Sequence, residues 1–218
     1  ARVWWFNGAA EHEVEQGMRY TPSASTLAAV RDLETVPMFL AKEADVVLVR
    51  QTPSPRFLER LAAAGFVLPR FEEAALERSP WPAPRRIGAI AELRPWAPSP
   101  RADAFAATAR ARVSGDGARW LPSMRALYDK RTAVRLCAAL PEDPCWTDHA
   151  RAARVATSWG AVLEARGAFA SLGHATRLKP TFGAAGRGHC VLRGETDERL
   201  AQQLLARCGA VVVEPELE

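Results

Sequence analysis

The chain has 218 residues, 48% of them hydrophobic and 25% charged, with a formal net charge of +4. That apolar content can bury a core over one or two domains of ordinary size, which excludes a disordered chain. No apolar run approaches the roughly 20 residues that span a bilayer, and Cys137, Cys145, Cys190 and Cys208 form no Cys-x-x-Cys pair, so a membrane helix, a zinc cluster and a disulfide framework are not expected.

The first apolar segment, residues 3–7, reads as a buried strand, and residues 44–50 as a second, with helical material between them. Ser54-Pro55 then supplies an N-cap and a proline at the first helical position. Phe57, Leu58 and Leu61 give that helix an apolar face, Gly65 stops it, and residues 66–69 are expected to form a short strand. Strand, helix and strand in alternation predict an open α/β sheet.

Prolines crowd residues 79–84 and 94–100, which argues against regular helix or a central strand. With Trp81 and Trp96 embedded, the stretch reads as an ordered connector; a polyproline ligand for another protein is the alternative. Helical spacing follows over residues 102–113, 124–140 and 147–166. In the last of these Val155, Ala156, Trp159, Val162 and Leu163 form one stripe, read as core packing.

Residues 175–182 and 189–193 read as two strands joined by a glycine-rich turn, followed by a helix over 197–208 and a valine-rich strand over 210–217. The expected division is a first domain over residues 1–100, connector included, and a second over 101–218. Arginines at 85–86 and across 110–119 have no aromatics of the kind that stack bases, so they read as solvated surface and no nucleic-acid partner is expected. His12, His149, His174 and His189 are dispersed, and none has a partner that the sequence suggests. No charged-then-apolar leader opens the sequence, and a cytoplasmic enzyme is the expected class.

The glycine-rich turn carries the chemistry. Gly183, Gly186 and Gly188 permit positive φ and let backbone N–H groups approach an anion, while Lys179, four residues before the first glycine, and Arg187 add positive charge. The turn lacks the Gly-Lys-Ser/Thr ending of a Walker loop and the Gly-x-Gly-x-x-Gly of a dinucleotide fingerprint. It reads as a phosphate-binding hairpin, with turn geometry alone as the bland alternative.

In order and spacing these parts resemble the ATP-grasp ligases: Lys179-Pro180, the glycine hairpin, a helix, and a strand ending in Val213-Glu214-Pro215-Glu216-Leu217. Tyr128-Asp129-Lys130-Arg131 fits the place of a second, upstream lysine. The resemblance implies ATP as cofactor, with Lys130 and Lys179 offsetting phosphate charge, Glu214 accepting from the adenine amino group and the Leu217 N–H donating to a ring nitrogen. It also implies that the first region is the Rossmann-like domain that often precedes the ATP-binding part. Asn7, Tyr20, Thr21, Arg50 and Gln51, at or near strand ends, are then candidates for substrate contact.

The fold expected is thus a Rossmann-like open sheet, a helical segment and an antiparallel ATP-grasp-like subdomain. In the family Mg²⁺ is held by carboxylates of a later subdomain, so the chain is expected to be an incomplete, inactive portion of a ligase. The complete protein would activate a small-molecule carboxylate as an acyl phosphate and pass it to an amine or thiol. A noncatalytic nucleotide-binding or regulatory module, and a structural or interaction domain, are the rival classes; no membrane partner is expected.

Overall fold

The computed structural model describes residues 1–76, 80–115, 117, 119–140, 152–183 and 188–216. They form two compact units, Ala1–Pro122 and Ser123–Glu218.

The first unit is built on strands β1 (Arg2–Trp5), β2 (Val46–Val49), β3 (Arg70–Glu73) and β4 (Glu92–Pro95), all parallel in the order β3-β2-β1-β4. Every residue of β2 is buried, because both faces of a parallel sheet are covered. Val3, Trp5, Val46 and Leu48 pack on one face with Trp81, Ile90, Leu93 and Phe105, while Val47 and Val49 pack with Met38 on the other. The helices are α1 (Ala10–Gln16), α2 (Ala24–Asp32), α3 (Pro55–Ala63) and α4 (Pro100–Ala106). The open α/β sheet expected for the front of the chain is therefore present.

Ser54 caps α3 as its sequence predicts, its hydroxyl accepting from the Phe57 N–H at 3.3 Å. Ser54→Ala is expected to lower the stability of this unit by about 1 kcal/mol, read as a shift in a urea midpoint with an unchanged slope.

The strand expected over residues 66–69 does not form; the strand is Arg70–Glu73 instead. Gly65 adopts φ 87°, its N–H bonds to Ala62 O at 2.9 Å and the Phe66 N–H to Leu61 O at 3.1 Å. This is the double bond of a Schellman helix end, so Phe66 serves the helix stop, and its ring packs edge-on against Phe39 at 5.4 Å. Four apolar residues after a glycine look alike in both roles.

The proline-rich connector also differs in part. Trp81 is buried, stacks on Phe105 at 5.9 Å and donates its backbone N–H to Phe105 O at 2.8 Å, whereas Trp96 is exposed and leans on Phe6 at 5.3 Å. Arg94 and Pro95 belong to β4, at one end of the strand order, where a missing N–H leaves no ladder bond unmade. Helix α4 follows with Ser99 as N-cap and Pro100 at its start, and Ala102, Phe105 and Ala106 join the core. The first unit consequently extends to Pro122, past the division expected at residue 100. The helix expected over residues 102–113 ends at Ala106, and a 3-10 turn, Ala109–Arg112, follows it.

In the second unit the helix expected over residues 124–140 is two, α5 (Arg125–Tyr128) and α6 (Lys130–Ala139). Asp129 breaks it: its backbone is extended at ψ 118°, and its carboxylate accepts from the Arg131 N–H at 2.9 Å as the cap of α6. The long helix expected over 147–166 is also wrong where it is described. Arg154–Ala156 is strand β5, and α7 (Trp159–Ala170) starts only after the Ser158 cap. Ala156 and Val162 are buried but Val155 and Leu163 are exposed, so the predicted stripe is not one face.

Strands β5, β6 (Thr176–Pro180), β7 (Cys190–Leu192) and β8 (Val211–Pro215) form an antiparallel sheet in the order β5-β8-β6-β7, with helix α8 (Glu195–Cys208) between β7 and β8 in sequence. Its core joins Leu178, Leu192, Val211 and Val213 to Val162 and Phe169 of α7 and to Ala201 and Leu204 of α8. The antiparallel hairpin predicted around the glycine turn is there. Among the described residues no helix is long and apolar enough to cross a membrane.

Candidate functional site

The alternation of a strand decides what the second sheet offers. Along β6, Thr176, Leu178 and Pro180 are buried in the core, which leaves Arg177 and Lys179 on the opposite face. Register then adds β8: Arg177 lies opposite Glu214 and Lys179 opposite Val212. On that face Lys179 and Glu214 form an ion pair, and Arg177 makes a two-pronged bond to Glu216.

Lys130 reaches the same place from the first turn of α6. Its backbone N–H bonds to Thr181 O at 2.9 Å and its ammonium donates to Gly183 O. The start of α6 is thereby tied to the base of the glycine hairpin. Gly183 and Gly188, at the two ends of the turn, adopt φ 120° and 74°, conformations that a side chain would strain. Gly186, Arg187 and Leu217, expected to take part, lie outside the described residues.

His189 was missed as a site residue. Leu178 pairs with Cys190, so the next position places His189 across from Lys179. The predicted hairpin already contained this signal, because strand pairing fixes which residues face each other. Burial first, then the charges of Lys179, Arg177 and Lys130, hold its imidazole below the ordinary value of 6.5, with Glu214 opposing. An NMR titration is expected to show this lowered midpoint and to move upward in Lys179→Met; an unchanged midpoint in the variant would remove Lys179 from its surroundings.

The arrangement is a glycine hairpin with Lys130 tied to its base, Lys179 on its first strand, both charges acting on His189, and a carboxylate beside Lys179. Such a set can offset the charge of an anion by point charges, while Glu214 can accept from an amino group. Among the described residues no three His, Cys, Asp or Glu side chains gather as a metal site.

Comparison with known proteins gives only distant likenesses. No family model matches the chain, and no curated protein matches it. Among solved structures it is similar to the D-cycloserine synthetase DcsG, 19% identical, over 75% of this chain and 54% of that one, with a TM-score of 0.38. It is also similar to a RimK domain protein ATP-grasp from Sphaerobacter thermophilus DSM 20745, 18% identical, over 79% of this chain and 64% of that one, with a TM-score of 0.41. The chain thus spans less than two thirds of the length of each.

Of the candidates at strand ends in the first unit, Asn7 is used structurally. Its side chain donates to Ala97 O at 2.7 Å and accepts from the Ala97 N–H at 3.0 Å, joining the segments that follow β1 and β4. Arg50 is paired with Glu34 at 2.8 Å, and Tyr20 is buried with its ring stacked on His12 at 5.3 Å. Thr21 and Gln51 are exposed.

Proposed function

We propose that the second unit binds ATP and forms the nucleotide-binding part of an ATP-grasp-type ligase. The observation that carries this reading is that Lys130, from a helix start, and Lys179, from a strand, both bring their charge to bear on His189 beside the glycine hairpin, since cations gathered from separate elements meet an anion's need rather than a turn's. The order of hairpin, helix and strand supports it.

In this reading the backbone N–H groups of the hairpin and the two ammonium groups receive the phosphates, and Glu214 receives the adenine amino group. Lys179 must then exchange its bond to Glu214 for one to phosphate, which frees the carboxylate for the base. ATP would supply the γ-phosphoryl group to a carboxylate with ADP as leaving group, and an amine or thiol attacking the acyl phosphate would displace inorganic phosphate. Hard carboxylate oxygens would be needed for Mg²⁺, and the described residues do not assemble such a set.

Thermal denaturation with and without ATP tests the binding step. A ligand that binds only the folded state raises stability by about 2.7 kcal/mol at a hundred times its Kd. No shift with millimolar ATP, in a chain that circular dichroism shows to be folded, would sink the proposal.

A further inference from the structure

A cleft in the first unit stands apart from the nucleotide reading. The strand order β3-β2-β1-β4 puts β2 and β4 on opposite sides of β1, so the connections diverge between β1 and β4. In open α/β sheets such a divergence leaves a crevice at the carboxyl ends of the strands. A cleft of about 370 Å³ occupies this position, entered by Phe6, Asn7 and Gly8 after β1, Arg50 after β2, and Arg101 and Phe105 of α4. That volume suits a compact organic molecule. The Asn7 bonds to Ala97 hold the two lips together.

Its walls are largely apolar, with Phe6, Leu27, Val30 and Phe105 among them, and besides Asn7, whose amide is bonded to Ala97, its polar side chains are the charged Glu13, Arg50 and Arg101. Glu13 is only 7% exposed. One of its oxygens accepts from the Ser99 hydroxyl at 2.5 Å, and among the described residues it has no other donor. Burial pushes its carboxyl above the ordinary range, against the opposing effects of Ser99 and the nearby Arg101 charge. Arg101 donates through Nη2 to Tyr20 O and to Met18 O at 3.3 Å, while its buried Nε has no partner. Glu13, whose carboxylate has one donor among the described residues, and the Arg101 guanidinium thus both line one cleft.

Charge selects the ligand. Arg50 is neutralised by Glu34, and Glu13 and Arg101 offset one another. A cation attracted by Glu13 is repelled by Arg101, an anion meets the reverse, and either loses its hydration on entry. A neutral head that both donates and accepts avoids this conflict.

We infer that this cleft binds a small uncharged molecule with an apolar body and a carboxamide-type head, its N–H on Glu13 and its carbonyl on Arg101. The test is calorimetric titration of the 218-residue chain with four probes sharing a benzyl group: phenylacetamide, phenylacetate, phenethylamine and phenylalanine. Phenylacetamide is expected to bind at least about tenfold more tightly than each charged probe. Leu27→Trp is expected to abolish its binding by filling the cleft while leaving the melting temperature close to wild type, because Leu27 is 37% exposed. A charged probe that matches the amide, no binding of any probe at millimolar concentration, or binding that survives Leu27→Trp would overturn the inference.

Discussion

Lys179→Ala is expected to remove most of the stabilisation that ATP confers while changing the stability of the ligand-free chain little. In the ligand-free state Lys179 pairs with Glu214, both side chains being a little over a fifth exposed, at 22% and 23%. Partly exposed pairs of this kind contribute on the order of 0–1 kcal/mol, so truncation costs little folding energy. A charge-assisted bond to phosphate is worth about 1.5–3 kcal/mol, which corresponds to roughly a ten- to hundredfold loss of affinity. Glu214→Gln separates the roles further: it removes the counter-charge of Lys179, so the affinity for inorganic tripolyphosphate is expected to be kept or raised, while preference for ATP over GTP falls. Full retention of the ATP shift in Lys179→Ala would leave the lysine a purely structural partner of Glu214. Unchanged ATP preference in Glu214→Gln would take the carboxylate out of base recognition.

Asp45→Ala is expected to cost about 3 kcal/mol in the first unit. Asp45 is 4% exposed and precedes β2, where its carboxylate accepts from Arg2 N at 3.0 Å, Arg2 Nε at 2.9 Å, Trp4 Nε1 at 3.2 Å and Lys42 N at 2.9 Å. Its own carbonyl receives the Arg70 N–H at 3.1 Å, so one residue joins the starts of β1, β2 and β3. Removing one partner of a buried pair costs about 3–5 kcal/mol, and the lower end applies because the Arg2 side chain keeps 26% of its exposure. Burial alone would raise the Asp45 carboxyl, but the bonds from Arg2, Lys42 and Trp4 outweigh it and hold it well below the usual carboxylate range.

The sign of the pH effect follows. A carboxyl depressed in the folded state stabilises fully above its unfolded value of about 3.9, and the contribution is lost as pH falls through the folded value. Urea unfolding followed by tryptophan fluorescence, with Trp4, Trp5, Trp81, Trp96 and Trp120 in this unit, should therefore show a gap between wild type and variant at pH 7 that narrows below about pH 4. A gap under about 1 kcal/mol, or one that does not change with pH, would mean the cluster does not brace the sheet.

Much of the second sheet was legible because its signals are local. Glycines spaced within a few residues define a turn, and the valine run of β8 is bounded by Gly209 and Pro215. The helix errors in the second unit have two sources. A single Asp129 divides α5 from α6 by capping, and Arg154–Ala156 is too short to show alternation, so its strand identity comes from pairing with β8. His189 illustrates the intermediate case: the hairpin was read, but its register was not followed to the residue opposite Lys179.

Local patterning was enough for the capped helix from Pro55 to its Gly65 stop, the buried strand Val46–Val49, and the glycine hairpin with Lys179 on its first strand. Each depends on groups a few residues apart, so composition and spacing suffice. The order β3-β2-β1-β4 and the cleft it opens, the use of Asn7 as a tie, the Asp45 cluster, and the pairing of Lys179 with Glu214 came from long-range packing. These depend on which distant segments lie side by side and in what register, and that is settled when apolar faces are buried together rather than by any local preference.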